Sequence, residues 1–299
     1  MTNRVLDISE EPARLSIRNG LLVVESSGVE RATIPCEELA AVSIGHRQVV
    51  LTQSVLSELA KAGALLITCD EKFSPVSMVL PLKTHHAQAE RFRRQAAMPL
   101  PLKKRLWKSV VQAKIIAQAW ALEQATGGDA GLRALAPRVR SGDTGNVEAR
   151  AARHYWSILF PASGFARANE DDTRNHLLNY GYGVLRSTTA RALCAAGLHP
   201  TFSLFHSNVH NPFGLADDLM EPFRPIVDLA VHRMPKAELT PQAKRVLISA
   251  LLERYTAGGE DRTLPDILIR VAQSLAQVVM DGRSKLSIPE LMEAKAKGR

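Results

Sequence analysis

The chain of 299 residues contains no apolar run near the roughly 20 residues needed to span a bilayer. Its opening residues, MTNRVLDISEEP, lack the apolar core of a signal peptide. Together these exclude a helical membrane protein and point to the cytoplasm. Cysteine is scarce: Cys36, Cys69 and Cys194 are odd in number, far apart, and form no CxxC or Cys/His spacing. That excludes a disulfide framework and a structural zinc site, and leaves three reduced thiols. No internal repeat or low-complexity tract is present. What remains is an ordinary globular composition, 45% hydrophobic and 23% charged, enough for one large domain or two.

The charge is lopsided. The formal net charge is +8, which favours a polyanionic partner. Lys83, Arg91, Arg93, Arg94, Lys103, Lys104, Arg105 and Lys108 fall within one short stretch whose only acid is Glu90. Such a run can be a solvated face. With Phe92 and Trp107 interleaved, it reads better as a surface that tracks phosphates.

Residues 1–82 carry strand signals. Segments 13–18 and 21–25 flank Asn19-Gly20, a pair suited to the positive φ angles of a tight hairpin. Further short strands are expected at 31–34, 42–44, 49–51, 64–68 and 76–80, with one helix at 54–61 ending near Gly63. No catalytic constellation lies here, so this part reads as a scaffold or an oligomerisation module. Residues 83–102 form a basic helical connector, broken by Pro99 and Pro101. From 103 to 299 the pattern is helical, with a tail expected to fray beyond Pro289. In the helix predicted over 103–123, Lys114 and Gln118 sit one turn apart beside an apolar stripe. They either snorkel at its edge or point into a site. The fold class is therefore α+β, a β-rich N-terminal domain followed by an all-α C-terminal one.

Residues 204–225, LFHSNVHNPFGLADDLMEPFRP, hold the densest chemistry. Asp217, Asp218 and Glu221 lie among Leu215, Leu219, Met220 and Phe223, and uncompensated charges near a core are costly. Asp218 and Glu221 are three apart and share a helix face, with His206 upstream on a loop. An imidazole with two carboxylates suits Mg²⁺ or Mn²⁺ better than zinc. The plain alternative is an acidic cluster paired with Arg224. Upstream, in SGDTGNVEARAARHYW, Glu148 falls in the first turn of a helix starting near Asn146, where the dipole favours an acid in any case. Small residues at 149, 151 and 152 permit close approach of a ligand, and Arg150 and Arg153 stand three apart, able to meet phosphates.

Three segments resemble one family: the Glu148-Ala149-Arg150 helix through Tyr155, NHLLNYGYG at 175–183, and His206 followed by DLMEPFRP. The match is to Cas1, the integrase of CRISPR adaptation, and DLMEPFRP with the compact length looks most like type II members. Ala149 departs from a common family glycine. The resemblance implies a metal site of Glu148, His206 and Glu221, with Asp218 as an alternative or supporting ligand, binding Mg²⁺ or Mn²⁺. It also implies joining of the 3′-hydroxyls of a short DNA duplex to the boundaries of a CRISPR repeat by transesterification, with hydrolytic nicking as a side activity. The implied partners are double-stranded DNA, a Cas2 dimer and a second copy of the chain; Lys114, Arg150, Arg153 and the connector would meet phosphates. A non-catalytic DNA-binding scaffold and a hydrolase of small phosphoesters are the competing readings.

Overall fold

The computed structural model describes residues 4–70, 75–79, 85–161, 165–167, 169, 172–206, 208, 210–234 and 238–293. The predicted domain boundary at 82/83 and Lys83 lie outside them.

The N-terminal strands form two four-stranded sheets. One has the order β4 (Val29–Pro35), β3 (Leu21–Ser26), β2 (Ala13–Arg18), β6 (Val49–Leu51); the other runs β1 (Arg4–Ile8), β5 (Leu39–Ile44), β7 (Leu65–Cys69), β8 (Pro75–Val79). The β2–β3 hairpin turns on Asn19 and Gly20, with φ of 53° and 76°. Asparagine and glycine tolerate that left-handed pair better than any other residues. The pleat then sorts the side chains. Val42, Ile44 and Leu66 face Leu15, Leu22 and Val24 across the two sheets, and Val55 and Leu59 of α1 (Gln53–Lys61) join them. Ala41, Leu65 and Ile67 emerge on the opposite face.

That second face is covered by a helix of the C-terminal part, α5 (Thr173–Ala195). Arg191 donates to the Gly63 carbonyl at 2.7 Å, and the buried Lys244 donates to Ser9 Oγ at 3.0 Å. The strand-rich part is thus docked onto the helices along one face of a sheet.

After α2 (Gln88–Ala96), the 27-residue α3 (Leu100–Thr126) forms the axis of the helical core. It starts earlier than the sequence predicts. Pro99 is its N-cap and Pro101 lies in the first turn, where a missing N–H costs nothing. Trp107, Val110, Val111, Ile115 and Leu122 are fully buried along it. Around it pack α4 (Val147–Leu159), α6 (Gly214–Met220) and α7 (Arg224–His232), while α8 (Pro241–Leu252) and α9 (Leu264–Asp281) complete the core.

The C-terminal part is not purely helical. β9 (Arg254–Ala257), β10 (Glu260–Thr263) and β11 (Leu291–Glu293) form an antiparallel sheet in the order β10-β9-β11. The tail expected to fray beyond Pro289 returns as β11. Leu291 is buried, Leu286 and Ile288 pack on the core, and Arg133 pairs with Glu290. Three apolar anchors outweigh the charges that suggested a loose end. Among the described residues, no helix is long and apolar enough to cross a membrane.

The NYGYG motif has a packing reason. A Cβ on Gly181 of α5 would stand 2.4 Å from Val227 Cγ1 of α7, closer than any real contact. Gly181→Ala should cost about 1–3 kcal/mol by overpacking, despite alanine's better helix propensity. Denaturant unfolding of Gly181→Ala, Val227→Ala and the double variant checks this. The double variant should be more stable than the sum of the single losses implies, and strict additivity would refute the contact.

Candidate functional site

Three stretches remote in sequence meet at Lys114. Gly142, Asp143 and Asn146 take positive φ, turning the chain sharply into α4. The Asp143 carboxylate then accepts from the Val147 and Glu148 backbone N–H groups at 3.0 and 2.9 Å, satisfying two orphan donors of the first turn. This anchors Glu148, whose Oε1 accepts from Lys114 Nζ at 2.6 Å. Glu221 begins the single 3₁₀ turn that links α6 to α7. Its Oε2 stands 2.7 Å from the same ammonium, and its Oε1 lies 3.0 Å from Arg224 Nη2. Burial pushes the Glu221 carboxyl up, but the attraction of Lys114 and Arg224 outweighs it and holds the pKa below the ordinary value. Burial likewise opposes the charge on Lys114, and the two glutamates more than restore it.

The three acids of the 217–221 stretch do not form one cluster. Each has its own partner. Asp217 pairs with Arg186 at 2.6 Å and accepts from Asn211 at 2.7 Å. Asp218, wholly buried, accepts from the Leu204 and Phe205 backbone N–H groups at 2.7 and 2.9 Å and lies 2.5 Å from His206 Nδ1. Only Glu221 reaches Lys114. Asp218 is therefore an orienting group, because both its oxygens are engaged in holding the 204–206 loop and the imidazole. The hydrogen bond to Asp218 raises the His206 pKa; burial opposes, and the charges of Asp218, Glu221 and Glu148 add to the rise. The imidazole rests edge-on against the buried Trp107 ring at 5.2 Å. Phe205 stacks on that ring at 4.6 Å, so the residue that leads into His206 is anchored on the same indole.

Behind Lys114 lies a cavity of about 70 Å³, lined by Gln118, Arg167, Tyr182, Arg224 and Asp228 among others. Asp228 is buried and accepts from Tyr155 at 3.0 Å and from Tyr182. Arg167 and Arg224 lie 5.2 and 4.9 Å from the Tyr182 ring centre. Sequence reasoning missed Asp143, Asp228, Arg167 and Arg186. Of these, only Asp143 carried a signal, as an acid in a glycine-rich loop just ahead of a helix.

The basic residues divide. Arg150 and Arg153 are exposed on α4. In the basic run, Arg93 and Lys104 are exposed and Lys103 is half-buried. Arg94 and Arg105 are exposed as well, but they and the half-buried Arg91 donate to backbone carbonyls. Arg91 serves Ala196 past the end of α5; Arg94 and Arg105 serve Met280 and Gly282 at the end of α9, at 2.9 and 2.7 Å. Cations at helix C-termini satisfy orphan carbonyls and complement the dipole.

As the side chains stand, no three His, Cys, Asp or Glu groups among the described residues form a ready metal cage, since Lys114 occupies the centre. The donor set nevertheless fits a hard divalent cation. Glu221 Oε2 is buried and accepts no hydrogen bond of good geometry, and it shares with Glu148 Oε1 a single cation position.

A family model described as CRISPR associated protein Cas1 matches residues 6–245. The CRISPR-associated endonuclease Cas1 of Neisseria meningitidis is 39% identical over 99% of this chain and 98% of its own length. In fold, the chain resembles a casposase bound to integration product, with a TM-score of 0.80 and 18% identity over 99% of this chain and 96% of that one. It also resembles a chain of a Cas6-RT-Cas1–Cas2 complex, with a TM-score of 0.75 and 19% identity over 97% of this chain and 36% of that one.

Burial raises the Asp228 carboxyl to about 7, against the two tyrosine hydrogen bonds that lower it. The folded chain thus keeps a proton that the unfolded chain releases near pH 4, so this residue's contribution falls as pH rises from about 4 to 7. Asp228→Asn removes the dependence. Between pH 5 and pH 8 its stability relative to wild type should improve by about 3 kcal/mol, read from urea unfolding at the two pH values. A constant difference would show that Asp228 is ionised throughout.

Proposed function

The chain belongs to the Cas1 family, and from that premise we propose that it is the integrase and endonuclease of CRISPR adaptation, acting with a divalent ion. The observation that carries this reading is the convergence of Glu148 and Glu221 on one cation position beside an oriented His206. A structural acidic cluster paired with Arg224 alone would need neither Glu148 nor the imidazole. A hydrolase of small phosphoesters would leave the exposed basic surfaces without a role.

Glu148, His206 and Glu221 are the residues that would hold Mg²⁺ or Mn²⁺. Asp218 binds one imidazole nitrogen, which fixes the ring and leaves the other nitrogen for the ion. The bound ion would supply Lewis-acid stabilisation for a phosphodiester under attack by the 3′-hydroxyl of an incoming duplex, in a transesterification. Water in place of the hydroxyl would give nicking. Arg150 and Arg153, three apart on an exposed face of α4, would hold backbone phosphates of the bound duplex. Arg224, bonded to Glu221, keeps that carboxylate charged and aimed. Trp107 and Phe205 exclude water from one side of His206. The exposed Val50 on edge strand β6, with Val76 and Val79 on edge strand β8, would be covered in a homodimer, with Cas2 bridging two such pairs.

Incubation with a short duplex and a supercoiled repeat plasmid, with and without Cas2, tests the reaction class. Joined products support it, and free nicks without joining under all conditions would leave only the nuclease. Glu148→Ala, His206→Ala and Glu221→Ala should each abolish joining, and pairs of these changes should be no worse than single ones because ligands act as a unit. Near-normal joining by Glu148→Ala at saturating Mn²⁺ would remove it from the ligand set.

The division of the basic run yields a separate outcome. Arg93→Ala with Lys104→Ala should weaken duplex binding and flatten the salt slope by about two units, with little change in melting temperature. Arg91→Ala, Arg94→Ala or Arg105→Ala should each cost about 1 kcal/mol of stability through the lost carbonyl bond. Anisotropy across a NaCl series and thermal melts separate the two groups. Equal effects on slope would place the capping arginines on the DNA as well.

A further inference from the structure

We infer that Lys114 is the site's internal counter-ion, a positioning residue whose ammonium holds Glu148 and Glu221 in place until a divalent ion displaces it into the cavity beside Gln118. The inference rests on the metal reading above and concerns how the ion enters.

The first support is geometric. Lys114 Nζ lies 2.6 Å from Glu148 Oε1 and 2.7 Å from Glu221 Oε2, so the two oxygens are no more than about 5 Å apart. Two carboxylates that close in a poorly solvated site repel strongly unless a cation lies between them. A Mg²⁺ ion prefers oxygens at about 2.1 Å. Exchanging an ammonium for the ion therefore asks each carboxylate to close in by only about half an ångström. The carboxylates are held almost ready, and the seat is taken by the chain's own cation.

The second support is that the expelled ammonium has somewhere to go. The cavity of about 70 Å³ is lined by Lys114 itself and by Gln118, one turn along the same helix. Gln118 is 3% exposed, and its Oε1 is buried with no hydrogen-bond donor. A buried acceptor without a donor is costly. An ammonium arriving from position i to i+4 would satisfy it, and the Asp228 carboxyl lines the same cavity. Arg167 and Arg224 also line it, and each is drawn toward the Tyr182 ring. The exchange changes the site's charge as well. With the ammonium seated, Lys114 and Arg224 balance the two glutamates. With a divalent ion in that seat and Lys114 beside it, the locale is net positive, which suits an incoming phosphate.

The test is Mn²⁺ affinity of the full-length chain without DNA, read from the electron paramagnetic resonance of free Mn²⁺. Wild type should bind one ion per chain, and Glu148→Ala should lose it. Lys114→Met, nearly the same shape without the charge, should bind Mn²⁺ roughly tenfold tighter or more, because no contact-distance cation remains to be displaced. Its melting temperature without metal should fall below that of wild type and recover with Mn²⁺. Gln118→Leu should bind more weakly, because the expelled ammonium loses its acceptor. Unchanged or weaker binding by Lys114→Met sinks this inference while leaving the metal site intact. Binding by neither wild type nor Lys114→Met, or equal binding by wild type and Glu148→Ala, sinks the metal reading itself and this inference with it. Should Lys114→Met not fold, Lys114→Gln takes its place, and a Mn²⁺-soaked wild-type crystal gives the direct check. There the ammonium must lie beyond contact with both glutamates, and an ammonium still seated between them overturns the proposal.

Discussion

Two carboxylates no more than about 5 Å apart in a largely dry interior repel one another, and the Lys114 ammonium is what makes their approach tolerable. The site depends on that pair of contacts. They tie the middle of α3 to the first turn of α4 and to the 3₁₀ turn between α6 and α7. Removing the lysine leaves two buried like charges; removing either glutamate leaves a buried ammonium half-compensated. The polar site can lie at the heart of the helical core because its members neutralise each other. Around it the core is apolar, from Trp107 and Ile115 on α3 to Tyr155 on α4 and Phe223 beside Glu221.

Carboxylates also organise the backbone here. Asp143 caps α4 and so aims Glu148, and Asp218 gathers two backbone N–H groups and the His206 ring. Both are spent on orientation, which is why neither competes for the central cation. This division of labour gives the site acids of two kinds, those facing the cation and those fixing the segments that bear them.

The strand-rich part and the connector serve the same core from outside. Sheet β1-β5-β7-β8 offers one face to the other sheet and the other to α5, so it supports the helix that carries Tyr182 and Arg186. Arg91, Arg94 and Arg105 of the basic run cap α5 and α9, fastening α2 and the start of α3 to those helix ends. The run is as much a fastening as a charged surface.

Local chemistry in the sequence was enough to establish most of the elements. Asn19-Gly20 demanded a hairpin, Pro99 and Pro101 a break between helices, and the spacing of Trp107, Val110 and Ile115 a buried helix. The motifs around Glu148, Gly181 and Glu221 identified the family. These signals are legible because each depends on a residue's own backbone preference or on its neighbours within a turn. The partners were another matter. Asp217, Asp218 and Glu221 look alike within five positions, and only tertiary packing sends one to Arg186, one to His206 and one to Lys114. Arg91, Arg94 and Arg105 read as one basic run with Arg93, yet helix ends more than a hundred residues away claim three of them. The return of the tail as β11 has the same cause: the surface that buries Leu291 is built by distant elements. A side chain's role follows from the charge or carbonyl it meets, and long-range pairings are decided by the energy of the assembled core.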